Sequence, residues 1–109
     1  MKPEEKALST LGLCKKAGKL IIGFDAVAEF IKGKAPGLLV LAADLSPKSA
    51  KEIIRIADAQ GFEYMRFGAA MEDIKRLVGK KAGILAITDR GLAKSFAGKV
   101  CQDEEDLNV

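Results

Sequence analysis

The chain has 109 residues, 49% of them hydrophobic and 30% charged, which suits one compact domain with its own core and argues against intrinsic disorder. It holds no histidine, no tryptophan, one tyrosine and two cysteines, Cys14 and Cys101. The commonest general base, a structural zinc site and a broad aromatic platform for stacking bases are therefore excluded. The cysteines read as small buried or half-buried hydrophobes of a reducing compartment rather than a disulfide pair. No apolar run reaches the roughly 18 residues of a membrane helix. Met1-Lys2-Pro3-Glu4-Glu5 is no secretion signal, because two acids stand where the apolar stretch belongs. The expectation is a cytoplasmic protein with no membrane partner.

The net charge of +3 conceals an asymmetry. Residues 101–109 carry Asp103, Glu104, Glu105 and Asp106 and no base, leaving 18 basic against 11 acidic groups, a net +7, over residues 1–100. The organisation expected is one basic domain over 1–100 and a short acidic tail over 101–109. Such a body is suited to nucleic acid only where its bases gather on one face.

In chain order, Pro3 suits a first helical turn and Glu4 and Glu5 suit the positive end of its dipole. Ala7, Leu8, Leu11 and Cys14 recur at helical spacing, Lys15 and Lys16 fill the last turn, and Gly18 ends it. Lys19 to Ile22 is a short strand pattern. A second helix follows Gly23, with Val27, Phe30 and Ile31 inward and Asp25, Glu29 and Lys32 outward, ending in Gly33-Lys34-Ala35-Pro36-Gly37. Leu38 to Ala43 is continuously apolar, as in a strand buried on both faces. Ser46-Pro47 opens a third helix with Ala50, Ile53, Ile54 and Ala57 on one stripe, stopped by Gly61.

Phe62 to Phe67 reads as a third long strand. Ala70 to Val78 is helical, with Met71, Ile74 and Leu77 on one face. Ile84 to Thr88 is a further strand, and Asp89 caps a last helix running through Leu92, Ala93 and Phe96 to Gly98. This alternation predicts an α/β fold, a sheet covered by helices on both faces in three α/β/α layers. Periodicity leaves the strand order open.

Ligands of α/β sheets gather in the loops at strand ends. Gly18 to Gly23 has the glycine spacing of a phosphate loop, but Phe24-Asp25 replaces the Lys-Ser/Thr that must reach phosphate and magnesium, and a strand fills the gap. Asp44 and Asp89, each at the end of a buried strand, read as helix-leading or capping residues rather than a phospho-acceptor pair. Two basic features remain. Lys15, Lys16 and Lys19 surround Gly18, followed by Gly23 at a helix start and by Lys32 and Lys34 at its end. Gly79-Lys80-Lys81-Ala82-Gly83 is a tight loop with two lysines and no acid. A glycine-led helix start offers free amides to phosphate, and a small-residue loop lets a backbone approach closely.

Leu20-Ile21-Ile22-Gly23-Phe24-Asp25-Ala26-Val27, the segment Leu38 to Pro47, Val78-Gly79-Lys80 and Ala86 to Lys94 together resemble the ribosomal protein family of L-seven-Ae, L-thirty-e and S-twelve-e, most closely its bacterial YlxQ-type members. The similarity spans residues 5–97. It implies an α/β/α sandwich around a mixed four-stranded sheet, no catalysis and no cofactor. The implied partner is kink-turn or other structured RNA, ribosomal RNA included, met by a cytoplasmic monomer associated with the ribosome. By resemblance the RNA-binding residues are Gly23, Phe24, Asp25, Ala26 and Glu29 at the second helix and Lys80, Lys81, Ala82 and Gly83 in the loop, with Lys16, Lys19 and Lys32 in support.

Asp25 and Ala26 stand where the strongest kink-turn binders carry an Asn-Glu pair, and Glu29 where they carry a lysine. An Asp carboxylate cannot donate to guanine as an amide does, and Glu29 repels phosphate. The expectation is binding by shape and charge rather than by base-specific contacts. The alternative is a protein-interaction module on the same fold with a decayed RNA face. The acidic tail is expected to mask lysines weakly by mimicking phosphate.

Overall fold

In a computed structural model, residues 3–100 are described; Cys101 and the acidic tail lie outside them, as does the N-terminal pair. The order is α1 (Pro3–Lys16), β1 (Leu20–Ile22), α2 (Phe24–Lys32), β2 (Leu38–Leu41), α3 (Pro47–Ala59), β3 (Tyr64–Arg66), α4 (Met71–Val78), β4 (Ile84–Ile87) and α5 (Arg90–Val100). The sheet runs β1-β4-β2-β3. β4 is antiparallel to both β1 and β2, while β2 and β3 are parallel.

Strand alternation builds a core on each face. On one, Leu38, Val40, Leu85 and Ile87 pack with Ala7, Leu11 and Cys14 of α1, Ile74 and Val78 of α4 and Phe96 of α5. On the other, Leu39, Leu41, Ile84 and Ala86 pack with Val27 and Ile31 of α2 and Ile53 and Ala57 of α3. Every residue of β2 and β4 is buried, as the unbroken apolar runs require of central strands. Each large aliphatic among them contributes roughly 1.5–3 kcal/mol on burial.

The boundaries of β2, β3 and α5 and the buried face of α4 differ from the sequence reading, each for a physical reason. β2 stops at Leu41 rather than Ala43, because the Ala42 N–H bonds the Gly83 carbonyl (3.0 Å) and the Ala43 N–H bonds the Ala69 carbonyl (2.9 Å). β3 is short because the amides of Gln60, Gly61 and Phe62 are spent closing α3 on the carbonyls of Ala57 and Asp58. On α4 the buried pair is Ile74 and Val78, and Leu77 is 45% exposed. α5 passes through Gly98 to Val100, held to α1 by a 2.7 Å bond from Lys99 Nζ to the buried Thr10 Oγ1.

The strand directions divide the loops between two ends of the sheet. Where β4 enters lie Gly23, the turn after β2 (Ala43, Asp44), the start of α4 and the Lys80–Gly83 loop. Where β4 exits lie Lys19, the α2–β2 connection (Lys34 to Gly37) and Asp89 and Arg90 at the start of α5. Roughly 13 Å of strand separates the two ends.

Candidate nucleic-acid interface

Gly23 is at φ 103° and ψ 152°, a conformation open essentially to glycine alone, and its N–H bonds the Ile84 carbonyl at 2.9 Å. That bond sets the first turn of α2 directly beside the residue at which β4 begins. The Val27 N–H takes the Gly23 carbonyl (3.0 Å), so the amides of Phe24, Asp25 and Ala26 precede the first helical bond, and no side chain caps them. Asp25, Ala26 and Glu29 are exposed on the outer face of α2, whereas Phe24 is half-buried against the α2–α3 core.

The starts of α3 and α4, at the same end, are closed. Ser46 Oγ accepts from the Ser49 N–H (3.3 Å) and so caps α3. Asp44 does not cap the helix that follows it. Its carboxylate reaches across to the Met71 N–H (2.9 Å) and closes α4 with Asp73, which accepts from the Ala70 N–H (3.2 Å). Asp89 does cap its own helix, accepting from the Leu92 N–H at 2.9 Å. Both acids flagged in the sequence are thus committed to helix starts, one of them 27 residues away.

The Lys80–Gly83 loop follows Gly79, which ends α4 in the left-handed conformation (φ 80°) and bonds the Lys75 carbonyl at 2.8 Å. Lys80 and Lys81 are exposed and Ala82 is half-buried. Lys81 Nζ is held by Glu72 at 3.2 Å. Gly83 is buried, and a Cβ there would stand 2.8 Å from Leu45 Cδ1 and 3.1 Å from Met71 Sδ. Its smallness is spent on packing inside the protein, so the part of the loop open to solvent is Lys80 to Ala82.

The structure therefore joins Gly23, Phe24, Asp25 and Ala26 with Lys80, Lys81, Ala82 and Gly83 at one end, with Glu29 one turn further along α2. It does not bring Lys16, Lys19 and Lys32 there. Lys16 ends α1, the Lys19 carbonyl accepts from the Thr88 N–H (2.9 Å) beyond β4, and Lys32 ends α2, all toward the exit end. Spacing could not show this, because direction reverses between β1 and β4 and only pairing fixes which loops meet.

The description "Ribosomal protein L7Ae/L30e/S12e/Gadd45 family" matches residues 5–97. An Enterococcus faecium protein named "RNA-binding protein YlxQ" is 29% identical over 92 residues, covering 83% of this chain and 86% of that one. A solved structure of a Bacillus halodurans protein of unknown function superposes with a TM-score of 0.79 at 22% identity, covering 87% of this chain and 96% of its own, which confirms the fold. With the family match running through all nine elements of the three-layer sandwich, the chain belongs to the ribosomal protein L7Ae/L30e/S12e/Gadd45 family.

Proposed function

We propose that the chain is a non-catalytic RNA-binding protein that engages kink-turn-like structured RNA, ribosomal RNA included, at the entry end of the sheet. The observation that carries this reading is the juxtaposition of the uncapped start of α2 with the Lys80–Gly83 loop. Open amides at a positive dipole end suit phosphate, and a loop of small residues admits a bent backbone. The relative's name, an RNA-binding protein, supports the same partner. Asp25, Glu29 and the Glu72–Lys81 pair reduce the positive potential there, and Asp25 cannot donate to a base edge as an amide does, so recognition rests on shape, on the open α2 amides and on Lys80.

The test is binding to a kink-turn RNA and to the same RNA with its G·A pairs disrupted, across a salt series. Salt-sensitive binding with a preference for the intact kink is expected. Absent or salt-insensitive binding overturns the reading. The same acids favour the second reading, a protein-interaction module whose RNA face has decayed. A protein partner that stays bound after nuclease treatment, with no affinity for either RNA, would establish that one.

A further inference from the structure

We propose that the exit end of the sheet is a second RNA surface, one that grips phosphate backbone independently of the α2 face. This rests on the reading that the partner is RNA and adds a separate site to it. Three neighbouring strand ends bring the cations together. Leu20 and Leu38 both pair with Ile87, so Lys19, the Thr88–Arg90 segment and the Lys34–Gly37 connection lie side by side. Lys16 and Lys32 flank them at the ends of α1 and α2, and Lys94 stands one turn beyond Arg90 on α5. All six of these cations are exposed, and none is in an ion pair among the described residues.

The surface has shape as well as charge. Lys34, Arg90 and Lys94 line a cleft of about 650 Å³, walled by Pro36, Gly37, Phe62 and Ala97. One acid, Glu63, lines the cleft against its three cations; Asp58 lines the neighbouring hollow, and the Asp89 carboxylate is turned to the Leu92 N–H.

Lys34 supplies a second, independent observation. It is the one residue other than glycine at positive φ (62°) among the described residues, and it rather than Gly33 makes the left-handed turn that ends α2. A lysine stands where a glycine would relax the backbone, and it lines the cleft. The entry end offers no such surplus. There Lys81 is paired with Glu72, and Asp25, Asp44 and Asp73 stand nearby.

The experiment compares the unmodified chain with two variants, Lys34→Gln/Arg90→Gln/Lys94→Gln and Lys80→Gln/Lys81→Gln. Each is titrated with a plain A-form RNA duplex and with a kink-turn RNA over a salt series. All five positions are exposed, and circular dichroism checks the fold. The cleft variant is expected to lose about tenfold in duplex affinity at low salt, with its log–log salt slope shallower by about 2–3. Its preference for the kink over its disrupted form is expected to stay. The loop variant is expected to leave duplex binding unchanged and to weaken the kink preference.

Duplex affinity and slope unmoved by the cleft variant overturn the second surface. So does an unmodified chain that binds the kink but not the duplex, while the entry-end reading survives. A chain that binds neither RNA overturns both.

Discussion

At the entry end of β4, carboxylates hold the structure together. Asp44 and Asp73 close α4, Glu72 holds Lys81, and the glycine of the loop is buried under Leu45 and Met71. At the exit end, cations with no ion-pair partner among the described residues surround a cleft, and a lysine occupies a strained turn. The two ends share a sheet and a loop chemistry but divide their labour. One offers shape with little net charge and the other offers charge around a cleft. A family likeness built on the α2 start points to the first, whereas the fold's own electrostatics point to the second.

The largest test asks how rigid each end is. A Cβ on Gly37 would stand 2.5 Å from the Ile87 carbonyl oxygen, which is backbone at the edge of β4. The corresponding clash at Gly83 is with the ends of the Leu45 and Met71 side chains, which can turn away. Gly37→Ala is therefore expected to cost about 3 kcal/mol in urea unfolding and Gly83→Ala about 1 kcal/mol. Equal costs would show that the loop at the entry end is as tightly locked as the exit end.

Next come the caps. Asp44→Ala and Asp89→Ala are each expected to cost about 1 kcal/mol, with Asp44→Asn and Asp89→Asn milder because Asn retains an acceptor. The two differ in reach. Asp89→Ala frees only its own helix start and speeds exchange at the Leu92 amide. Asp44→Ala separates α4 from the turn after β2, so exchange should rise at Met71 and through the Lys80–Gly83 loop, the part proposed to meet RNA. Exchange confined to Met71 alone would show that the loop is held by Gly83 packing rather than by the cap.

That asymmetry also shows where a sequence is legible. The helices and central strands follow from local periodicity, because Leu38–Leu41 and Ile84–Ile87 can only be buried on both faces and Ser46-Pro47 can only start a helix. Partners 27 residues apart, such as Asp44 and Met71, depend on strand order, which local patterns do not encode. The same holds for the site. Gly23 and the Lys80–Gly83 loop are recognisable as segments, but grouping Lys16, Lys19 and Lys32 with them fails because β1 carries the chain to the far end between Lys19 and Gly23. The left-handed turn at Lys34 is hidden for another reason: Gly33, its neighbour, is the residue a pattern would choose for it.

A smaller effect isolates that turn. Lys34→Gly relieves positive φ at the cost of a freer unfolded chain, for an expected net gain of about 0.5–1 kcal/mol. The thermal midpoint should rise by about 4 °C, while the salt slope for duplex RNA drops by about 1. Lys34→Ala keeps the strain and removes the charge, so it should show the slope change without the gain. A stabilised Lys34→Gly with an unchanged slope would separate the strain from RNA binding and leave the lysine without a purpose in the cleft.

The smallest effect asks whether Asp89, at the exit end, is felt inside the protein. Cys14 lies in the last turn of α1, fully buried, and its carbonyl accepts the Lys19 N–H at 2.8 Å. Burial pushes the thiol above its ordinary value, Asp89 adds to the rise, and a backbone hydrogen bond and Lys99 oppose it. A thiol raised on folding leaves stability complete below the unfolded value, about 8.5, and erodes it as pH rises through and beyond that point. Urea midpoints measured at pH 7 and pH 9.5 should therefore fall further in the unmodified chain than in Cys14→Ala. The cavity cost of Cys14→Ala is present at both pH values and cancels. Equal falls would mean that Lys99 and the backbone hydrogen bond cancel the burial and the Asp89 charge at the thiol; a larger fall in the unmodified chain shows that burial and Asp89 dominate there.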